Sequence, residues 1–102
     1  MKQIEAHGVK LAKRPSFYMR QFIKLLEGIK WGRLHLSLPN AENIYFGNDG
    51  DQATLVIKDE RAVKSLFLSG DLGFAQSYLE GLWDSPDLKV LFLMVQQNDH
   101  LL

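Results

Sequence analysis

The residues able to do chemistry are few and scattered. Three histidines, His7, His35 and His100, lie far apart along the chain. None forms a pair with metal-ligand spacing, one helical turn or one strand step apart. His7 and His100 fall near the chain ends and His35 on the polar side of an alternating segment, so all three read as surface histidines. Asn48-Asp49-Gly50-Asp51 opens like a calcium loop but lacks the spaced carboxylates and closing glutamate. It reads as a hairpin turn. Ser16, Ser37, Ser65, Ser69, Ser77 and Ser85 are accounted for as caps or surface residues, and none stands in a nucleophile-elbow sequence. No glycine-rich phosphate loop follows a strand pattern. With no cysteine, disulfides and thiolate metal sites are excluded. The basic first third carries Phe17, Tyr18, Phe22 and Trp31, but mostly on a core-facing helical stripe rather than on a strand platform. Nucleic acid is therefore not an expected partner. Catalytic and metal-ligating residues are expected to be none.

The elements that would position any site follow from the apolar period. Residues 1–15 have no clear period and read as a flexible N-terminal arm; residues 16–102 read as a single domain. Ser16 can cap a helix running to about Glu27, with Gly28 at its end. On that helix Tyr18, Met19, Phe22, Ile23, Leu25 and Leu26 share one arc, and Phe17 falls on the polar arc. The period then changes from 3.6 to 2. Leu34, Leu36 and Leu38 alternate with polar residues, Ile44–Phe46 is a second strand, and Ala53–Lys58 a third, rich in β-branched residues. Short connections predict an antiparallel meander. Asp59 can cap a helix through Leu68 with Ala62, Val63, Leu66 and Phe67 inward. Gly70 stops it, and a short helix spans Leu72–Leu79. Ser85 with Pro86 starts a last helix to about Gln97. The order predicts an α+β fold, a small antiparallel sheet of three or more strands packed against about four helices.

Length and charge narrow the partners. At 102 residues the chain holds one core, with little spare area for a deep cofactor cleft. No apolar run approaches the ~20 residues of a membrane span, and the first residues lack the apolar stretch of a secretory signal, so a cytoplasmic location is expected. The net charge of zero hides an asymmetry: residues 1–40 carry eight basic and two acidic residues, residues 41–102 four basic and ten acidic. Either the halves neutralise each other in the fold, or a basic face meets an anionic surface.

The most unusual wording runs from Gly70 to Leu88: Gly-Asp-Leu-Gly, then Gln76-Ser77-Tyr78, Gly81-Leu82-Trp83 and Asp84, with Asp87-Leu88 closing it. This segment resembles the N-terminal domain of cyclopropane-fatty-acyl-phospholipid synthases and related methyltransferases. Gly32-Arg33-Leu34, the Leu-x-Leu-x-Leu-Pro strand, Phe46-Gly47 and Asp59 two residues before Arg61 agree with the same family. The resemblance covers roughly residues 18 to 98. Two positions depart from it: Gln76 stands where the family usually has glutamate, and Ala41 where a glycine often follows the strand. The resemblance implies a sterol-carrier-like fold with an apolar pocket between sheet and helices. It also implies that the chemistry, methylene addition to an acyl double bond using S-adenosylmethionine, belongs to a catalytic domain outside these residues. A cofactor is thus expected only there. The residues here then make a lipid-handling accessory domain, with Gly70, Asp71, Gly73, Gln76, Tyr78, Gly81, Trp83 and Asp84 as the family motif. The alternative is an interaction or dimerisation module that binds no lipid.

Two surfaces are candidate contacts. Lys13, Arg14, Phe17, Arg20 and Lys24 place an off-stripe aromatic among basic residues, which suits the anionic inner face of a membrane. The last helix is apolar on both sides. Leu88, Leu91, Phe92 and Val95 read as its core stripe, and Val90, Leu93 and Met94 as an outward stripe for a homodimer or for the catalytic methyltransferase partner.

Overall fold

The computed structural model describes residues 15–101 and the backbone of residues 3–5. The elements in chain order are β1 (Gln3–Glu5), α1 (Phe17–Leu26), β2 (Arg33–Ser37), β3 (Asn43–Gly47), β4 (Gln52–Ile57), α2 (Arg61–Leu79), β5 (Trp83–Asp84) and α3 (Leu88–Gln97), closed by a 3₁₀ turn at Asp99–Leu101. This is a compact α+β fold. The period-2 segments bury one face: Leu34, Leu36, Ile44, Phe46, Ala53, Leu55 and Ile57 are all within the core. Each large one contributes about 1.5–3 kcal/mol. Helix stripes meet that face, with Met19, Phe22, Ile23 and Leu26 from α1, Ala62 and Val63 from α2, and Leu91 and Met94 from α3.

The sheet is mixed rather than an antiparallel meander. Its order is β1-β3-β2-β4-β5. β2 pairs antiparallel with β3 on one side and parallel with β4 on the other. The short connection 48–51 does not make β3 and β4 neighbours; it steps over the start of β2. Asn48 N–H donates to the Gly32 carbonyl and Arg33 N–H to the Asp51 carbonyl. Four extended residues span ~13 Å, enough for two strand spacings of ~10 Å, so loop length alone does not dictate adjacency. Residues 3–5, expected in a flexible arm, pair parallel with β3. Three residues are too few to show a period.

The ends of the helices follow their caps. The Ser16 hydroxyl accepts from Met19 N–H, as expected, and also donates to Glu60 at 3.0 Å, which ties the starts of α1 and α2 together. Asp59 accepts from Arg61 N–H at 2.9 Å. Gly70 breaks α2, adopting φ 63 and ψ −150, a region open only to glycine. The last helix starts later than expected. Asp87, not Ser85, caps α3 by accepting from Val90 N–H. Ser85 instead donates its hydroxyl to the Thr54 carbonyl at 2.6 Å, because residues 83–84 form the edge strand β5 beside β4.

Candidate functional site

The Gly70–Leu88 segment folds as a corner around one indole. Trp83 is buried on β5, and its ring stacks on Phe74 with centroids 4.4 Å apart. Tyr78 leans on the other ring contact at 4.9 Å. The Trp83 Nε1–H donates to the Phe74 carbonyl at 2.8 Å, which gives the buried indole the partner it requires. Gly73 lets the second half of α2 close on the first: a Cβ there would lie 2.6 Å from the Ser65 carbonyl oxygen and from Ser69 Cβ. Ser77 is buried and its hydroxyl donates to the Gly73 carbonyl at 2.8 Å. Gly81 turns the chain into β5. Asp84 accepts from Ser85 N–H. Asp71 and Gln76 are exposed.

That corner walls one side of an apolar cavity of about 420 Å³. Phe22, Leu25 and Leu26 of α1 line it, with Leu34 and Leu55 of the sheet as floor. Leu66, Phe74 and Ala75 of α2 with Trp83 of β5 close one side, and Leu91, Phe92 and Val95 of α3 the other. Its volume is in the range of ligand pockets. Among the described residues its polar lining is Asp71 and Asn98. Asn98 is spent on structure: Oδ1 accepts from Lys30 N–H at 2.8 Å and Trp31 N–H at 3.0 Å, and Nδ2 donates to the Trp31 and Met94 carbonyls. Phe92, 53% exposed, and Val95 stand at the mouth. Both were expected to point into the core. Phe67, also expected inward, is exposed and meets Tyr18 at 6.0 Å.

The outward stripe of α3 forms a second feature. Val90, Leu93 and Met94 all line a groove of about 440 Å³ beside exposed Trp31, Asp51 and Gln97. Met94, expected in the outward stripe, is buried at its floor and belongs to the core, Val90 is half-buried against that core, and Leu93 is exposed.

The basic surface is partly visible. Phe17 is exposed, the Arg20 guanidinium lies 6.0 Å from its ring centroid, and Lys24 is exposed on the same helix. Arg20 also donates to the Pro15 carbonyl at 2.9 Å. Lys13 and Arg14 lie outside the described residues.

The polar residues elsewhere are used in packing. His35 is half-buried rather than a free surface histidine. It stacks on Tyr45 with centroids 4.8 Å apart, its ring nitrogens meet the Asn43 amide oxygen and the Thr54 hydroxyl, and Arg33 covers Tyr45. His100 is exposed and its Nε2 bonds the Gly28 carbonyl at 2.9 Å; His7 lies outside the described residues. Among the described residues no cluster of His, Asp and Glu could hold a metal ion, and no helix is long and apolar enough to cross a membrane. The strand-to-helix connection Lys58-Asp59-Glu60 contains no glycine and carries two acids, unlike the glycine-rich turn with open N–H groups of a nucleotide-type site.

An apolar pocket was implied by the resemblance alone; the residues that line it were not legible in the sequence, because they come from all three helices and two central strands. One trace of it was present: α3 carries more apolar residues than one core-facing stripe requires. Comparison with family models, curated proteins and solved structures finds no match. The fold and its site therefore define a compact α+β domain with an apolar cavity between its layers.

Proposed function

We propose that this chain is the non-catalytic accessory domain of a cyclopropane-fatty-acyl-phospholipid-synthase-like methyltransferase. It accommodates a lipid chain and assists contact with the cytoplasmic face of a membrane. The observation that carries this reading is the apolar cavity between sheet and helices, the kind of pocket that a sterol-carrier-like domain would use. Two details support it. The Gly70–Leu88 wording builds a wall of that cavity through Phe74, Ala75 and Trp83. Ala41, at the position where the family often has glycine, adopts φ 68, a conformation that glycine takes without strain.

The test is native mass spectrometry of the chain mixed with phospholipid, beside an Ala75→Trp variant that fills the cavity. The expected result is a one-to-one lipid adduct that the variant loses. An adduct unaffected by Ala75→Trp, or none at all, would count against the reading.

A second reading is favoured by the groove at Trp31, Val90 and Leu93, a depression of mixed apolar and polar lining open to solvent. In this reading the domain docks its catalytic partner or a second copy and takes up no lipid. Sedimentation of the wild type and Leu93→Glu separates the two: a dimer dissolved by the substitution supports docking, and a monomer in both forms opposes self-association.

A further inference from the structure

We propose that the cavity selects its occupant by head group, accepting the chain of a neutral or ammonium-bearing amphiphile and rejecting a free fatty acid, with Asp71 as the specificity-determining residue. The inference rests on the cavity reading above and adds the chemical class of the occupant.

The argument is an inventory of hydrogen-bonding and charged groups. A fatty-acid carboxylate inside an apolar cavity needs donors or a cation, since an unpaired buried charge is among the costliest groups to desolvate. Among the described residues lining the cavity, the polar groups are Asp71, Asn98 and the Trp83 indole. The indole N–H is committed to the Phe74 carbonyl. Both Asn98 amide hydrogens are committed to the Trp31 and Met94 carbonyls, and its oxygen already receives two N–H groups. Among the described lining residues Asp71 is the one that carries a charge and, as a carboxylate, it offers acceptors only.

The position of Asp71 decides which end of an amphiphile it meets. It follows the break at Gly70, is exposed, and still lines the cavity, so it stands at the mouth. An alkyl chain inserted among Phe22, Leu25, Phe74 and Phe92 leaves its head group there. A carboxylate head would meet a like charge and, among the described lining residues, no side-chain donor. A hydroxyl head can donate to Asp71, and an ammonium head can donate with opposite charge. A chain of about a dozen carbons, each displacing about one water volume (~30 Å³), suits the size of the cavity.

The experiment uses the full chain carrying Trp31→Phe, which leaves Trp83, on the cavity wall, as the single tryptophan. Its fluorescence is titrated with dodecanol, dodecylamine and dodecanoate below their micellar concentrations at neutral pH. The expected result is binding of the alcohol, equal or tighter binding of the amine, and binding of the acid weaker by about tenfold or more, the size of a modest like-charge contact. Asp71→Asn should bring the acid to within about threefold of the alcohol, the scale of a modest hydrogen-bond difference. Asp71→Ser makes the same comparison should the Asn form not fold. Dodecanoate binding as well as dodecanol in the parent, or an acid-to-alcohol ratio unmoved by either substitution, would overturn the proposal while leaving the cavity reading intact. Failure of all three ligands to bind would overturn both.

Discussion

Ala41 and Asn98 show how single residues bear on this domain in opposite directions. Ala41 turns the β2–β3 hairpin with φ 68, where an L side chain is disfavoured by roughly 1–2 kcal/mol. Ala41→Gly should therefore raise the unfolding free energy by about 1 kcal/mol, offset in part by glycine's greater unfolded-state freedom; a urea melt measures it. Asn98 is the reverse case. Its buried amide joins the 30–31 connection to the end of α3 through four hydrogen bonds. Asn98→Leu leaves two backbone N–H groups and two carbonyls without that partner, and about 3 kcal/mol should be lost; an unchanged melt would show that solvent reaches those groups. Asp59 behaves differently again. Hydrogen bonding from the Arg61 side chain holds its carboxyl below the ordinary carboxylate range. Such a group stabilises the fold above its unfolded pKa and loses that contribution as pH falls through its folded value. The pair is on the surface, so the effect is small.

At the scale of elements, the informative unit is α2 with its break. Gly70 supplies the backbone turn and Gly73 the close approach, and together they aim Phe74 and Ala75 at the cavity while leaving Leu72 and Leu79 78% and 84% exposed. Gly70→Ala and Gly73→Ala should each cost about 1–3 kcal/mol, the first through strain and the second through overpacking. Gly73→Ala should also weaken binding in the Trp83 fluorescence titration, since the shift it forces is transmitted to Phe74. Stability lost with lipid binding unchanged would separate the corner from the cavity. This break was legible in the sequence: Gly70 interrupts an apolar helical period, and that signal is local. The partners of the resulting half-helices were not, because Phe67, Phe92 and Val95 have apolar side chains whose exposure depends on what the neighbouring helices leave uncovered.

Over the whole molecule the charge asymmetry is the feature that bears on the proposed membrane contact. Phe17, Arg20 and Lys24 share the exposed side of α1, at the basic end of a chain whose net charge is zero. Each basic residue near an anionic leaflet contributes about 1 kcal/mol, so the proposed contact through this surface would be weak and reversible. Binding to liposomes should rise with anionic lipid and fall as salt screens it, and Arg20→Glu with Lys24→Glu should reduce it. Equal binding to neutral and anionic vesicles would remove the electrostatic account. Among the described residues the cavity mouth carries Asp71 rather than a basic residue, so the proposed chain uptake and the proposed surface attachment call on different residues: substitutions that remove one should leave the other in place.

By itself the sequence determined what depends on neighbours along the chain. The period-2 leucines, the α1 stripe, the Ser16 cap, the glycine break and the need of Trp83 for a buried partner all follow from residues a few positions apart, and so does the α+β class. Tertiary structure alone decided what depends on residues brought together from afar. It set β2 between β3 and β4, moved the start of α3 to Asp87 by pairing β5 with β4, drew His35 into a stack, and placed Met94 inside while Phe92 and Val95 stayed at a cavity mouth. The physical reason is that backbone periodicity is a local property, whereas a cavity is the space left when separate helices and strands, each satisfied locally, pack together without filling it.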